Sequence, residues 1–251
     1  MSTVAEHWVA HTRGGDRGLV EPERASWLWE RLRRALPQAL SCVLMPTHVH
    51  LEARPGRGKS FRDALDGYTR KFGVRLDLAD PEPANSVPIM FRQIRYGVFN
   101  PYRDGLVDDP WRWPWSTLRD LGGACVTTWT PLPHVASALH LPPRVALQRL
   151  TTIADFQAPL PATPSLLVAS VDAVRVAVAA ALRCPEADVL RTTEGRRLVI
   201  QTCFAIGQPR PTELAAKLGC GVRTIHRARK QPDHGVDAVL RCLADRRLLG
   251  R

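Results

Sequence analysis

Among the chain's six cysteines, at positions 42, 125, 184, 203, 220 and 242, there is no CxxC pair. So scattered a set fits neither a disulfide framework nor a zinc finger and reads as reduced thiols of an intracellular protein. Long apolar runs are missing too. None approaches the roughly 18 residues a bilayer-spanning helix needs. The opening MSTVAEHWVAHTRGG has no basic-then-apolar leader pattern. No GxxxxGK[ST] loop occurs, so nothing points to nucleoside-triphosphate hydrolysis. Acidic side chains are in short supply: 24 Asp and Glu stand against 35 Lys and Arg, for a formal charge of +11 and a pI near 10.1. Such a field favours polyanions, nucleic acid first and an acidic membrane surface second. The expectation is a soluble, cytoplasmic, nucleoid-associated protein without a membrane partner.

What is present is enough apolar material for real cores, at 45% of 251 residues. From residue 1 to about 121 the apolar runs are short and separated by turns, a mixed α and β pattern. EHWVAHTRGG reads as a strand and PERASWLWERLRRAL as a helix, with Trp27, Leu28, Leu32 and Leu36 at helical spacing. ALSCVLMPTHVHLEAR reads as one strand, and KSFRDALDGYTRKFGVRL as a helix capped by Ser60. DLADPEPANSVP has no periodicity, and the helix IMFRQIRYGVFN after it is expected to stop at Pro101. Residues 122–165 read as a linker with one or two short helices. From 166 to 251 the chain is alanine-rich and all-helical.

Within the third run, THVH places His48 and His50 two residues apart. In a strand such residues share a face, while Val49 turns to the apolar side. Two imidazoles so placed suit a divalent metal, although two polar residues on a solvated strand face would look the same. Downstream, Tyr96 and Asn100 stand four apart, on one face of a helix. Taken alone, the tyrosine could be a half-buried aromatic and the asparagine a helix cap.

VLMPTHVHLEARP resembles the signature strand of the single-tyrosine HUH transposases, the insertion-sequence-200-like and REP-associated tyrosine transposases. YGVFNPYRDGLVDDPWRWPWST is similar to the same family's second signature, and HWVAHTRGGDRGLVEPERASWLWERL and DGYTRKFG follow its opening and middle segments. The likeness spans about residues 5–121. It implies an α+β, ferredoxin-like nuclease domain, whose antiparallel sheet presents the histidines opposite a helix bearing the nucleophile. Carried across, His48, His50 and Asn100 would hold magnesium or manganese, and Tyr96 would join the 5′ phosphate of cut single-stranded or hairpin DNA. Arg13, Arg92 and Arg95 are the favoured backbone contacts of this domain, the last two because they neighbour Tyr96; Arg103 belongs to a wider basic set. The family's glycine-aromatic-glutamine hairpin is missing between residues 73 and 90, which leaves a sheet edge altered. The family implies a monomer or a homodimer.

PRPTELAAKLGCGVRTIHRARKQ, about 211–230, has helix-turn-helix form. Pro211 suits a first helical turn, Leu214, Ala215, Leu218, Val222 and Ile225 face inward, and Arg223, Thr224, Arg227 and Lys230 would face a duplex groove. The region also resembles the helical DNA-binding domain of the replication initiator DnaA. An ordinary helical bundle with a basic surface is the plainer alternative. For the whole chain the readings are therefore a metal-dependent DNA strand transferase, a domesticated relative that binds DNA without cutting, and an HxH metal hydrolase of another substrate. The last leaves Tyr96 and the tail unexplained.

Overall fold

Alternation in the first apolar run builds the centre of a sheet. The computed structural model describes residues 3–153, 156–157, 169–207, 210–232 and 234–245. Two compact units result, one from Met1–Gly122 with Thr128–Leu160 and one from Gly123–Thr127 with Pro161–Arg251. In the first unit, β1 (Ala5–Thr12) pairs antiparallel with β3 (His48–Ala53), which pairs with β2 (Ser41–Leu44). The run expected as one strand is thus a hairpin. Pro46 has no N–H to give a ladder, and the chain turns there, with Met45 N–H donating to the His48 carbonyl.

One sheet face carries Trp8, Ala10, Cys42, Leu44, Val49 and Leu51. Against it lie α1 (Pro22–Ala35), through Leu28, Trp29 and Leu32, and α2 (Gly58–Phe72), through Phe61, Leu65 and Tyr68. Helix α2 begins before Ser60, which sits inside its first turn, and ends at Gly73 in the left-handed region favoured by glycine. The other face receives α3 (Val87–Arg103), whose Met90 and Ile94 pack with Ala5 and Ala84. Pro101 does not stop this helix. It lies in the last turn, where only one backbone bond is forfeited.

The aperiodic stretch forms β4 (Leu76–Leu78) and β5 (Glu82–Ala84), which pair with opposite ends of β1. The sheet edge beside β1 is therefore filled by two short pieces. On the opposite edge, Trp115 and Thr117 bond the backbone of β2, and Trp113 Nε1 donates to the Leu44 carbonyl at 2.8 Å. After the short α4 (Leu118–Leu121), the stretch expected as a linker supplies α5 (Leu132–Ala138) and α6 (Pro143–Thr151) to the first unit. Their Val135, Leu139, Ala146 and Leu150 share a core with Met90 and Ile94 of α3.

The regular elements of the second unit among its described residues are all helices: α7 (Val171–Leu182), α8 (Glu186–Val189), α9 (Thr193–Ala205), α10 (Pro211–Lys217), α11 (Val222–Arg229) and α12 (Val236–Leu243). The short α8 was not foreseen. The α+β class, a sheet unit followed by an all-helical one, holds. No described helix is long and apolar enough to cross a membrane. Helices α10 and α11 bury Leu214, Ala215, Leu218 and Ile225, the expected inward residues, and Gly219 takes a positive φ in the turn between them. Gln201 of α9 fixes the end of α11: its Nε2 donates to the carbonyls of Ala228 at 3.0 Å and Gln231 at 2.8 Å. Gln201→Leu removes both bonds, although the Ala228 carbonyl keeps the Gln231 N–H, and is expected to destabilise this unit by about 1 kcal/mol, measured by urea unfolding. An unchanged midpoint would mean that water replaces the amide.

Candidate active site

Strand pleat puts His48, His50 and Glu52 of β3, with His7, Val9 and His11 of β1, on the face covered by α3. The register sets His11 opposite His48, Val9 opposite His50 and His7 opposite Glu52. Helix α3 passes the strand at Gly97, where a methyl would stand 3.8 Å from His50 Cβ, in ordinary contact, so the approach does not require a glycine. The helix thereby delivers both of its expected residues to one imidazole. Tyr96 meets His50 edge to face, ring centres 5.7 Å apart at 84°, while staying 46% exposed. Asn100, one turn on and buried, brings Nδ2 to 2.6 Å from His50 Nε2. His48 lies perpendicular to His50 with ring centres 4.8 Å apart, and its Nδ1 is 3.1 Å from Thr47 Oγ1.

Burial and crowding keep these rings neutral. His50 is pushed down to about 3, first by burial and then by the neighbouring imidazoles of His48, His7 and His11. Burial also lowers His48, helped by His11 and opposed by Asp104. A neutral imidazole is the form that ligates, with no proton to displace. Two such rings and an amide fit a magnesium or manganese ion that keeps several open positions. Among the described residues no group of three or more His, Cys, Asp or Glu side chains is spaced to hold a metal.

Three neighbours carry no individual role in the sequence reading. His7 is buried, with Nε2 3.1 Å from His50 Nδ1 and Nδ1 3.6 Å from a Glu82 carboxylate oxygen, long for a hydrogen bond but close enough for attraction. His11 is exposed, its ring 5.1 Å from His48. Glu52 is 1% exposed, and neither carboxylate oxygen has a hydrogen-bond partner; burial, then the charge of Glu82, pushes it up to about 9. The alternating histidines of EHWVAHT were the available signal for His7 and His11, but the cross-strand register that makes it useful is invisible in sequence.

The basic residues divide. Arg103 lies over the Tyr96 ring, 5.1 Å from its centre. Arg92 is exposed one turn before Tyr96. Arg95 is directed elsewhere, its guanidinium donating to the Thr152 carbonyl and lying 5.7 Å over Phe91. Arg13 makes a two-pronged pair with Asp77 at 2.9 and 3.0 Å. In the second unit Arg223 and Arg227 are exposed on α11, as is Lys230 just past its end, and Thr224 is half-buried.

No family model matches the chain, and no curated protein matches it. A solved structure of a REP-associated tyrosine transposase bound to a REP hairpin is similar at 16% identity, covering 47% of this chain and 78% of its own, with a TM-score of 0.37. At that score the likeness carries no argument about function.

Proposed function

We propose that the chain is a metal-dependent single-stranded DNA endonuclease and strand transferase of transposase type, with Tyr96 as nucleophile. The observation that carries this reading is the exposed Tyr96 against His50, with Asn100 touching the same ring one helical turn later. The two signature-like segments support it, because their separate residues meet at one point. His48 and His50, with Asn100 through its oxygen, would hold the ion, which when bound draws charge from the scissile phosphate. Tyr96 Oη attacks phosphorus, its proton leaves to solvent, and the bond to the 3′ oxygen breaks, that oxygen taking up a proton from solvent. A 5′-phosphotyrosine and a free 3′ hydroxyl result. Attack by a 3′ hydroxyl reverses the step and releases Tyr96, so joining requires no nucleotide cofactor. Arg103 and Arg92 supply positive charge beside the nucleophile. In the second unit, α11 would read duplex DNA through Arg223, Thr224, Arg227 and Lys230.

The test is incubation of the full chain with a labelled pool of single-stranded hairpins and manganese or magnesium, followed by a denaturing gel. A covalent species that requires the metal is expected. A second reading, DNA binding without cleavage, is favoured by one feature: both ring nitrogens of His50 are already satisfied within the protein. Retention of hairpins with no covalent species at any metal concentration would select it.

A further inference from the structure

The rings of His7 and His50 lie within 11° of parallel, yet their centres are 5.3 Å apart. With His7 Nε2 only 3.1 Å from His50 Nδ1, that separation is close to the largest the contact allows. The two nitrogens must then lie nearly on the line between the ring centres. The rings are therefore edge to edge in one plane, the arrangement of an N–H···N hydrogen bond, and not a face-to-face stack. Its direction follows from the neighbours. Asn100 Nδ2 has no lone pair and can only donate, so His50 Nε2 accepts from it and bears no hydrogen. The hydrogen of this neutral ring then sits on Nδ1 and is given to His7 Nε2. His7 in turn keeps its hydrogen on Nδ1, the atom that faces Glu82 at 3.6 Å. Asn100, His50 and His7 form a hydrogen-bonded chain, and the Glu82 carboxylate lies 3.6 Å beyond its last nitrogen, close enough for attraction only.

We propose that His7 is a positioning residue: by accepting the Nδ1 hydrogen of His50 it fixes that ring's tautomer and plane, and so keeps the lone pair on Nε2, which a divalent ion would take in place of the Asn100 amide hydrogen. The inference rests on the reading of His50 as a metal ligand and adds what holds that ligand in place. A ligating histidine needs its second nitrogen tied to an acceptor, and here the acceptor is an imidazole from the adjacent strand. His7 is suited to this because the register sets it diagonally to His50 and because burial excludes water that could otherwise take the hydrogen.

Two measurements on the full chain test this. In the metal-free protein, long-range proton–nitrogen spectra of the histidines should show His50 hydrogenated at Nδ1 only. A hydrogen on Nε2 would overturn the inference without any variant. Next, Mn2+ binding is followed by loss of the free-ion paramagnetic signal in wild type, His7→Phe, His7→Gln and His48→Ala. Loss of the acceptor in His7→Phe is expected to weaken Mn2+ binding about 10–100-fold and to mix the His50 tautomers. His7→Gln, whose Oε1 can accept, should recover most of both. Unaltered binding and tautomer in a folded His7→Phe would overturn the inference alone. If wild type itself fails to bind Mn2+, or binds it equally after His48→Ala, the metal reading of the site falls and the inference with it.

Discussion

Tyr96→Phe is expected to remove the covalent protein–DNA species and reduce strand cleavage at least about a thousandfold, as loss of a nucleophile does, while hairpin retention stays near wild type. The substitution deletes one oxygen from a side chain that is 46% exposed and makes no hydrogen bond through it among the described residues. The ring remains to contact His50 and Arg103. Packing and stability should therefore be unmoved, which makes the result readable. His48→Ala should also abolish the species, but for another reason, and the two losses should differ in one respect: excess manganese can partly rescue a weakened metal site and cannot replace a missing phenol. A Tyr96→Phe protein that still forms the adduct would remove Tyr96 from the mechanism. Tyr102 and Tyr68 would then be the remaining phenols, and Tyr68 is fully buried in the opposite face of the sheet.

Glu52→Gln is expected to stabilise the first unit, increasingly so as the solution becomes more alkaline. In the folded chain Glu52 keeps its proton up to about 9, whereas once unfolded it ionises near 4.5. Between those values the unfolded chain has released a proton that the folded chain retains, so stability falls as pH rises through this window. Below 4.5 both states are protonated and the cost vanishes. Glutamine has nearly the same shape and does not titrate. The gain at pH 8 should be on the order of several kcal/mol, reduced by about 1–3 kcal/mol if the new amide hydrogens also lack partners. Urea unfolding at pH 5 and pH 8 reads it as a larger midpoint difference at the higher pH. Equal differences at both values would show that Glu52 is already ionised in the native chain and has found a partner on opening of the pocket.

Local pattern carried much of this architecture, because the core faces repeat at periods a sequence displays. Leu28, Leu32, Leu214 and Ile225 fall inside as their helical spacing requires. Tyr96 and Asn100 meet one ring because four residues make about one helical turn. Pairing was less visible. Residues 76–84 have weak strand propensity, with Pro83 in the middle of β5, and become strands only because β1 offers them an edge. Pro46 gave the signal for a turn, but the apolar residues on both sides of it hid the hairpin. The part of the site that depends on register, namely His7 beside His50 and Glu52 left without a partner, needs the alignment of two strands about forty residues apart in sequence. No local rule provides it.

The divided edge of β1 has a consequence for how copies of the chain behave at high concentration. Growth of a sheet from molecule to molecule needs an uninterrupted row of free backbone groups on a straight strand. Here one flank is two three-residue pieces, one containing a proline that cannot donate, with Asp77, Asp80 and Glu82 along the same stretch. The other flank is occupied by the backbone of residues 115–117. Neither offers a template. The edges of this sheet are thereby protected against strand-by-strand growth between copies.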